Sequence, residues 1–205
     1  MTQRLSHDEL WSEIEIALEQ VFRKEPLEQT IYSKTYSNVY DFCTSAETGD
    51  SQAELYSRCK TFLKYHIELI KKECEARKGE DLLTFFTDQY DLFKCCAKVM
   101  DGLFAYLNRH WIKRQIQENQ GEEKGIFTVD KLALNTWKEL LLEGLHEKIV
   151  AAVVELSGQN QEDYVSTHPL LKKVDDCFVE LELKEIAAEI SSESEEKIKD
   201  QSEEF

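Results

Sequence analysis

Chemistry on a protein starts from side chains that ionise or attack near neutral pH, so the histidines and cysteines are the first residues to weigh. The histidines His7, His66, His110, His146 and His168 are scattered singly along the chain, and each reads as a surface or core residue. His66 lies on an apolar stripe and is expected in the core. The cysteines are Cys43, Cys59, Cys74, Cys95, Cys96 and Cys177, with no Cys-x-x-Cys pair among them. Most fall on apolar helical positions, where free Cys packs as a small hydrophobe. The Cys and His spacings of a zinc site are absent. So are a Gly-rich phosphate loop, a nucleophile elbow and a His-Glu-x-x-His pair. The many carboxylates offer no reason to prefer any two as an acid–base couple. The expectation is a chain with no catalytic residue, no metal ligand and no cofactor, which binds partners and is not an enzyme.

Two stretches have the composition of binding surfaces. In a helix expected from about Glu28 to Ala46, Tyr32, Tyr36, Val39 and Cys43 form one stripe, and Ile31, Val39 and Phe42 line the adjoining face. Together they are wider than one core contact needs. Either the helix packs between two neighbours, or one face enters the core and a Tyr-bearing face meets a partner, since interfaces favour Tyr. The second stretch is Arg109-His110-Trp111-Ile112-Lys113-Arg114, a basic cluster in a chain of formal net charge -16. It is either a solvated helix end whose cations complement the macrodipole or a docking patch for an acidic partner.

The elements that carry these stretches read as helices. Only 7 Gly and 2 Pro occur in 205 residues, too few for the turns of an all-β fold. Ser6 and Glu9 form a capping box before Leu10, Ile14, Ala17, Leu18 and Val21, and Pro26 marks the break. After a turn at Thr48 to Ser51, a third helix carries Leu55, Cys59, Phe62, Leu63, Ile67, Ile70 and Cys74, and ends near Gly79. From Asp81 to about Gln117 two helices are expected, with a bend or break near Lys94 to Ala97. Past a polar loop at Gly121 to Gly125, Thr128 caps a long helix through about Leu156. A loop at Ser157 to Asp163 precedes a last helix that starts at Thr167-His168-Pro169 and buries Leu171, Val174, Phe178 and Leu181. Beyond Ile190 the acidic, aperiodic sequence is expected to be disordered.

The acidic balance argues against nucleic acid and anionic membranes as partners. No apolar run approaches the roughly 20 residues that span a bilayer, and Met1 to Glu9 lacks a secretory signal. Cytoplasm and nucleus are the expected compartments, with reduced thiols.

The residues also suggest a family. Tyr32-Ser33-Lys34-Thr35-Tyr36-Ser37-Asn38-Val39-Tyr40-Asp41-Phe42-Cys43-Thr44-Ser45 resembles the second helix of a cullin, of cullin-1 type. Leu103-Phe104-Ala105-Tyr106-Leu107-Asn108-Arg109-His110-Trp111-Ile112-Lys113-Arg114 is similar to a later cullin helix, Leu132 to Trp137 to the one after it, and Leu10-Trp11 to the first. Matches recur in order from about residue 8 to residue 183.

The resemblance implies an all-α, cullin-repeat-like bundle of long antiparallel helices: a first repeat over residues 1–125, the start of a second over 126–188, and an acidic tail over 189–205. Cullins scaffold ubiquitin ligases. The implied partners are a small acidic Skp-type adaptor and its F-box protein; no RING subunit is expected, because the C-terminal domain that binds it has no counterpart here, and the chain is expected to be monomeric. The adaptor surface carried over by position is Tyr32, Ser33, Tyr36, Val39, Tyr106, Arg109, His110 and Lys113. Ser33 and Thr35 stand where cullin-1 places large apolar residues, so a weaker or retuned interface is expected. The chain is either a piece of a longer cullin or a naturally short protein that competes with full-length cullins, and the acidic tail favours the second reading. A helical interaction module unrelated to ubiquitin is the other reading.

Overall fold

The computed structural model describes residues 5–45, 50–119, 125–158 and 169–181, and these are helical with no strand among them. The expected loop at residues 121–124, most of the one after Ser157, the helix start at Thr167 and His168, and the tail beyond residue 181 lie outside the described residues. The chain forms two compact units that interleave: residues 1–65 with 93–134, and residues 66–92 with 135–205. The division expected at residue 125 is therefore not where the compact units separate.

In the first unit, α1 (His7–Phe22) begins with the capping box read from the sequence. The Glu9 N–H donates to Ser6 Oγ at 3.3 Å, and the Ser6 N–H donates to the Glu9 carboxylate at 2.8 Å. The Ser6 N–H, and then the Ser6 hydroxyl that also donates to this carboxylate at 2.9 Å, hold the Glu9 carboxyl below its ordinary pKa. Leu10, Ile14, Ala17, Leu18 and Val21 are buried at helical spacing. The chain leaves α1 through Lys24, whose φ of 62° ends the helix just before Pro26. α2 (Gln29–Thr44) packs on α1. Val39 and Phe42 of α2 are fully buried, and His7 of α1 stacks on Phe42 with ring centroids 4.1 Å apart. Polar contacts reinforce the packing: the Asn38 amide donates to Glu13 at 2.7 Å, and Lys34 pairs with the same carboxylate oxygen at 3.2 Å.

α3 (Ser51–Ala76) and α4 (Gly79–Leu103) are long helices that contribute residues to both units. The break expected near Lys94 to Ala97 is absent. α4 runs unbroken to Leu103, and the interruption comes at Phe104, with φ -93° and ψ 17°. Residues 94–97 are Lys-Cys-Cys-Ala, which contain no helix breaker. Gly102, the weakest helix former in this stretch, lies two residues before the actual break. α5 covers residues 105–119: α-helical at Ala105–Leu107, a π turn at Asn108–Ile112, then α-helical again at Lys113–Asn119.

In the second unit, α6 covers residues 129–158, with its own π turn at Lys138–Leu142. Its first residues belong to the first unit, and residues from 135 on belong to the second. Fully buried Trp137 lies 5.7 Å from Tyr90 and 6.2 Å from Phe86, ring centre to centre. α7 (Pro169–Glu180) adds Phe178, 6.3 Å from Phe86, and buries Leu171, Val174 and Leu181 as its periodicity requires. The Lys148 ammonium donates to the carbonyls of Cys74 and Glu75 in the last turn of α3, where the Cys74 carbonyl also accepts from the Arg77 N–H.

Five cysteines are buried and Cys95 is exposed. Burial pushes the Cys43 and Cys59 thiols up to about 12 and those of Cys74 and Cys96 up to about 11, so all four stay protonated and unreactive at neutral pH. His66 is only half-buried, not in the core as the stripe suggested.

Truncating the largest fully buried side chain is the direct check on the second unit. Trp137→Ala is expected to cost roughly 3–5 kcal/mol in urea unfolding, through lost burial and the cavity left behind.

Candidate binding surface

The surface to be tested lies on α2 and α5, which touch each other through the first turn of α5. Tyrosines recur every fourth residue of α2, at 32, 36 and 40, so they share one side of the helix. Tyr32 and Tyr36 are half-buried, whereas Tyr40 is 46% exposed. Tyr40 meets Tyr106 of α5 edge to face, with centroids 4.9 Å apart, and Tyr106 in turn lies 4.3 Å from the exposed His110 ring. Tyr40, Tyr106 and His110 thus form a continuous aromatic run. Tyr32 rests over α4 at Gly102: a Cβ there would lie 2.5 Å from the Tyr32 hydroxyl, so the missing side chain makes room for the ring.

The π turn of α5 ends in Trp111 and Ile112, both buried, while Arg109, His110, Lys113 and Arg114 are exposed. Trp111 is held by a tilted contact with Tyr56 at 5.3 Å. Arg109, Lys113 and Arg114 pair with no carboxylate among the described residues, so a concentrated positive patch borders the aromatic run.

Asn108 positions this helix. Its Oδ1 accepts from the Val129 N–H at 3.1 Å, a side-chain cap on the first residue of α6. Its Nδ2 donates to the Asp101 carboxylate at 2.6 Å, on the last turns of α4. One amide therefore ties α4, α5 and the start of α6. The Asp130 N–H also donates to Asp101, at 3.4 Å, while Asp130 Oδ1 is buried without a hydrogen-bond partner. Burial, and then the neighbouring Asp130 charge, push the Asp101 carboxyl above the ordinary aspartate range, against the lowering effect of Asn108.

Of the eight residues assigned from sequence, seven reach the surface in part or in full: Tyr32, Ser33, Tyr36, Tyr106, Arg109, His110 and Lys113. Val39 does not. It is 0% exposed, so it contributes to the core and not to a docking face. Thr35 is buried as well, with its hydroxyl donating to the Ile31 carbonyl at 2.8 Å. Its departure from the cullin-1 pattern therefore falls inside the protein, and only exposed Ser33 alters the outer face. Tyr40 was missed, although its spacing from Tyr36 and Tyr32 was a signal.

Residues 11–205 match the model of the cullin α-solenoid domain. The chain belongs to the cullin family. It is 30% identical to Cullin-1 of Caenorhabditis elegans over 84% of this chain and 25% of that protein. It is 27% identical to Cullin-1 of Dictyostelium discoideum, over 86% of this chain and 25% of the relative. Cell division control protein 53 of Saccharomyces cerevisiae is 26% identical, over 63% of this chain and 17% of its own length. The chain thus spans about a quarter or less of these relatives. Among the described residues, no cluster of side chains is arranged to hold a metal, and no helix is long and apolar enough to cross a membrane. The all-helical architecture of this cullin chain is the one its family's domain model describes.

The Asn108 clamp makes two measurable demands. Asn108→Ala should destabilise the chain by about 1–3 kcal/mol, since it leaves the Val129 N–H and the Asp101 carboxylate without their partner. Because the folded Asp101 pKa is raised, its protonated form favours the folded state. That contribution is complete below the unfolded aspartate pKa and is lost as pH rises through the folded value. Urea unfolding at stepped pH should show this fall in the wild-type chain, and Asp101→Asn should remove it.

Proposed function

We propose that this chain is a non-catalytic scaffold segment that holds an acidic Skp-type adaptor, with its F-box protein, in a cullin-type ubiquitin ligase assembly of the cytoplasm and nucleus. The observation that carries the reading is the Tyr40–Tyr106–His110 run bordered by Arg109, Lys113 and Arg114. An aromatic centre with a cationic rim fits an acidic protein partner: the rings supply buried area and the charges speed encounter. Membership of the cullin family supports the choice of partner.

The test is recovery of Skp-type and F-box proteins with the tagged chain from cell extract. Tyr40→Ala and Tyr106→Ala should each weaken adaptor binding by on the order of 2 kcal/mol, roughly thirtyfold. Arg109→Glu with Lys113→Glu should weaken it most at low salt, through the association rate. Full adaptor binding by a folded Tyr40→Ala, Tyr106→Ala double variant would overturn the assignment, and recovery of unrelated proteins alone would favour a helical interaction module outside ubiquitin transfer.

Mixed with a RING subunit, a ubiquitin-conjugating enzyme and the adaptor, the 205-residue chain is expected to transfer no ubiquitin. When overexpressed, it should raise the level of F-box substrates by occupying adaptors, as measured by substrate half-life.

A further inference from the structure

A second concave surface lies between α1 and α3, on residues separate from those of the α2–α5 surface. It is a groove of about 420 Å³ whose lining includes Trp11, Glu15 and Glu19 of α1 and Arg58, Phe62 and Tyr65 of α3. The α1 residues are four apart and so stand in one row along the helix, facing the row formed by the α3 residues. Phe62 is buried and forms apolar floor, Trp11 is half-buried, and Tyr65 is 57% exposed. Trp11 lines the groove and stacks on no other ring among the described residues.

The charges of the groove are unequal. Arg58 is its lining cation, and that guanidinium is already held by Asp8 at 2.6 Å and Glu54 at 2.7 Å. Glu19 shares its carboxylate with exposed Arg23 at a longer 3.6 Å. Glu15 is exposed and has no ion-pair partner among the described residues. Aromatic faces beside an under-compensated carboxylate attract a cation with an apolar stem, and repel anions. Arg and Lys side chains have that form: the stem lies on the rings while the head meets the carboxylates. The net charge of -16 disfavours a second copy of this chain as the occupant.

We propose that the α1–α3 groove is a second docking site, which receives an arginine or lysine side chain from a basic segment of a partner protein. The site does not depend on adaptor binding, and a chain that failed to bind adaptor could still carry it.

The test uses a display library of random short peptides selected on the immobilised full chain. The selected peptides are then titrated against variants, with NMR signals of the Trp11 indole and Tyr65 ring followed. Selected peptides should contain Arg or Lys and shift both signals. Glu15→Gln with Glu19→Gln, which leaves the aromatic packing in place, should weaken them about tenfold, and Tyr65→Ala by a similar factor. A charge-matched control, Glu68→Gln with Glu75→Gln at exposed positions of α3, should change affinity by less than about twofold. Peptides without cations, or peptides weakened equally by the control pair, would overturn the proposal, the latter by showing diffuse attraction to an acidic surface. Concentration-dependent self-association that Glu15→Gln with Glu19→Gln abolishes would also overturn it, by making a second copy the occupant.

Discussion

The Asn108 side chain is the contact on which the candidate surface depends. The α-helical run of α4 is interrupted at Phe104, where two backbone bonds still cross the junction: the Phe104 N–H donates to the Met100 carbonyl and the Asn108 N–H to the Phe104 carbonyl. The Asn108 amide adds the tie to the next helix, donating to Asp101 behind it and accepting from the Val129 N–H ahead. With α5 so placed, Tyr106 arrives against Tyr40, Trp111 enters the core beside Tyr56, and the cations at 109, 113 and 114 turn outward. Asp101 carries the strain of the arrangement, since a carboxylate that faces Asp130 in a partly buried setting loses solvation for the sake of one strong acceptor contact.

The α2 helix illustrates how one helix can serve two faces. Val39 and Phe42 are buried, Phe42 against His7 of α1, while tyrosines at every fourth position spread from half-buried Tyr32 to exposed Tyr40. The helix packs between neighbours, as one sequence reading had it, and it also leaves aromatic area uncovered. Tyr32 is the residue shared between these roles, because its hydroxyl end is seated over Gly102 while the ring remains partly accessible.

What could be read in the sequence follows from what is local. The Ser6–Glu9 capping box and the burial periodicity of α1 and α7 depend on neighbours within a few residues, and the structure reproduces them. The cullin motifs around Tyr32 and Tyr106 pointed to the family for the same reason, as contiguous strings. The features that escaped are set by contacts between distant segments. The π turns at 108–112 and 138–142 arise from packing, and hydrophobic periodicity at 3.6 residues does not signal them. The break at Phe104 is a weak local signal beside Gly102, easily mistaken for one at the cysteine pair. The interleaved units could not be seen at all, because α3 and α4 each divide their residues between them. Val39 was misplaced because residue type alone does not separate an apolar core position from an apolar docking position.

Hydrogen–deuterium exchange of the 205-residue chain, with and without a purified Skp-type adaptor and F-box complex, tests the central claim most directly. Bound adaptor is predicted to slow exchange across residues 32–40 and 105–114 while α7 exchanges as before. Binding that protects other segments and leaves both of those unchanged would contradict the account.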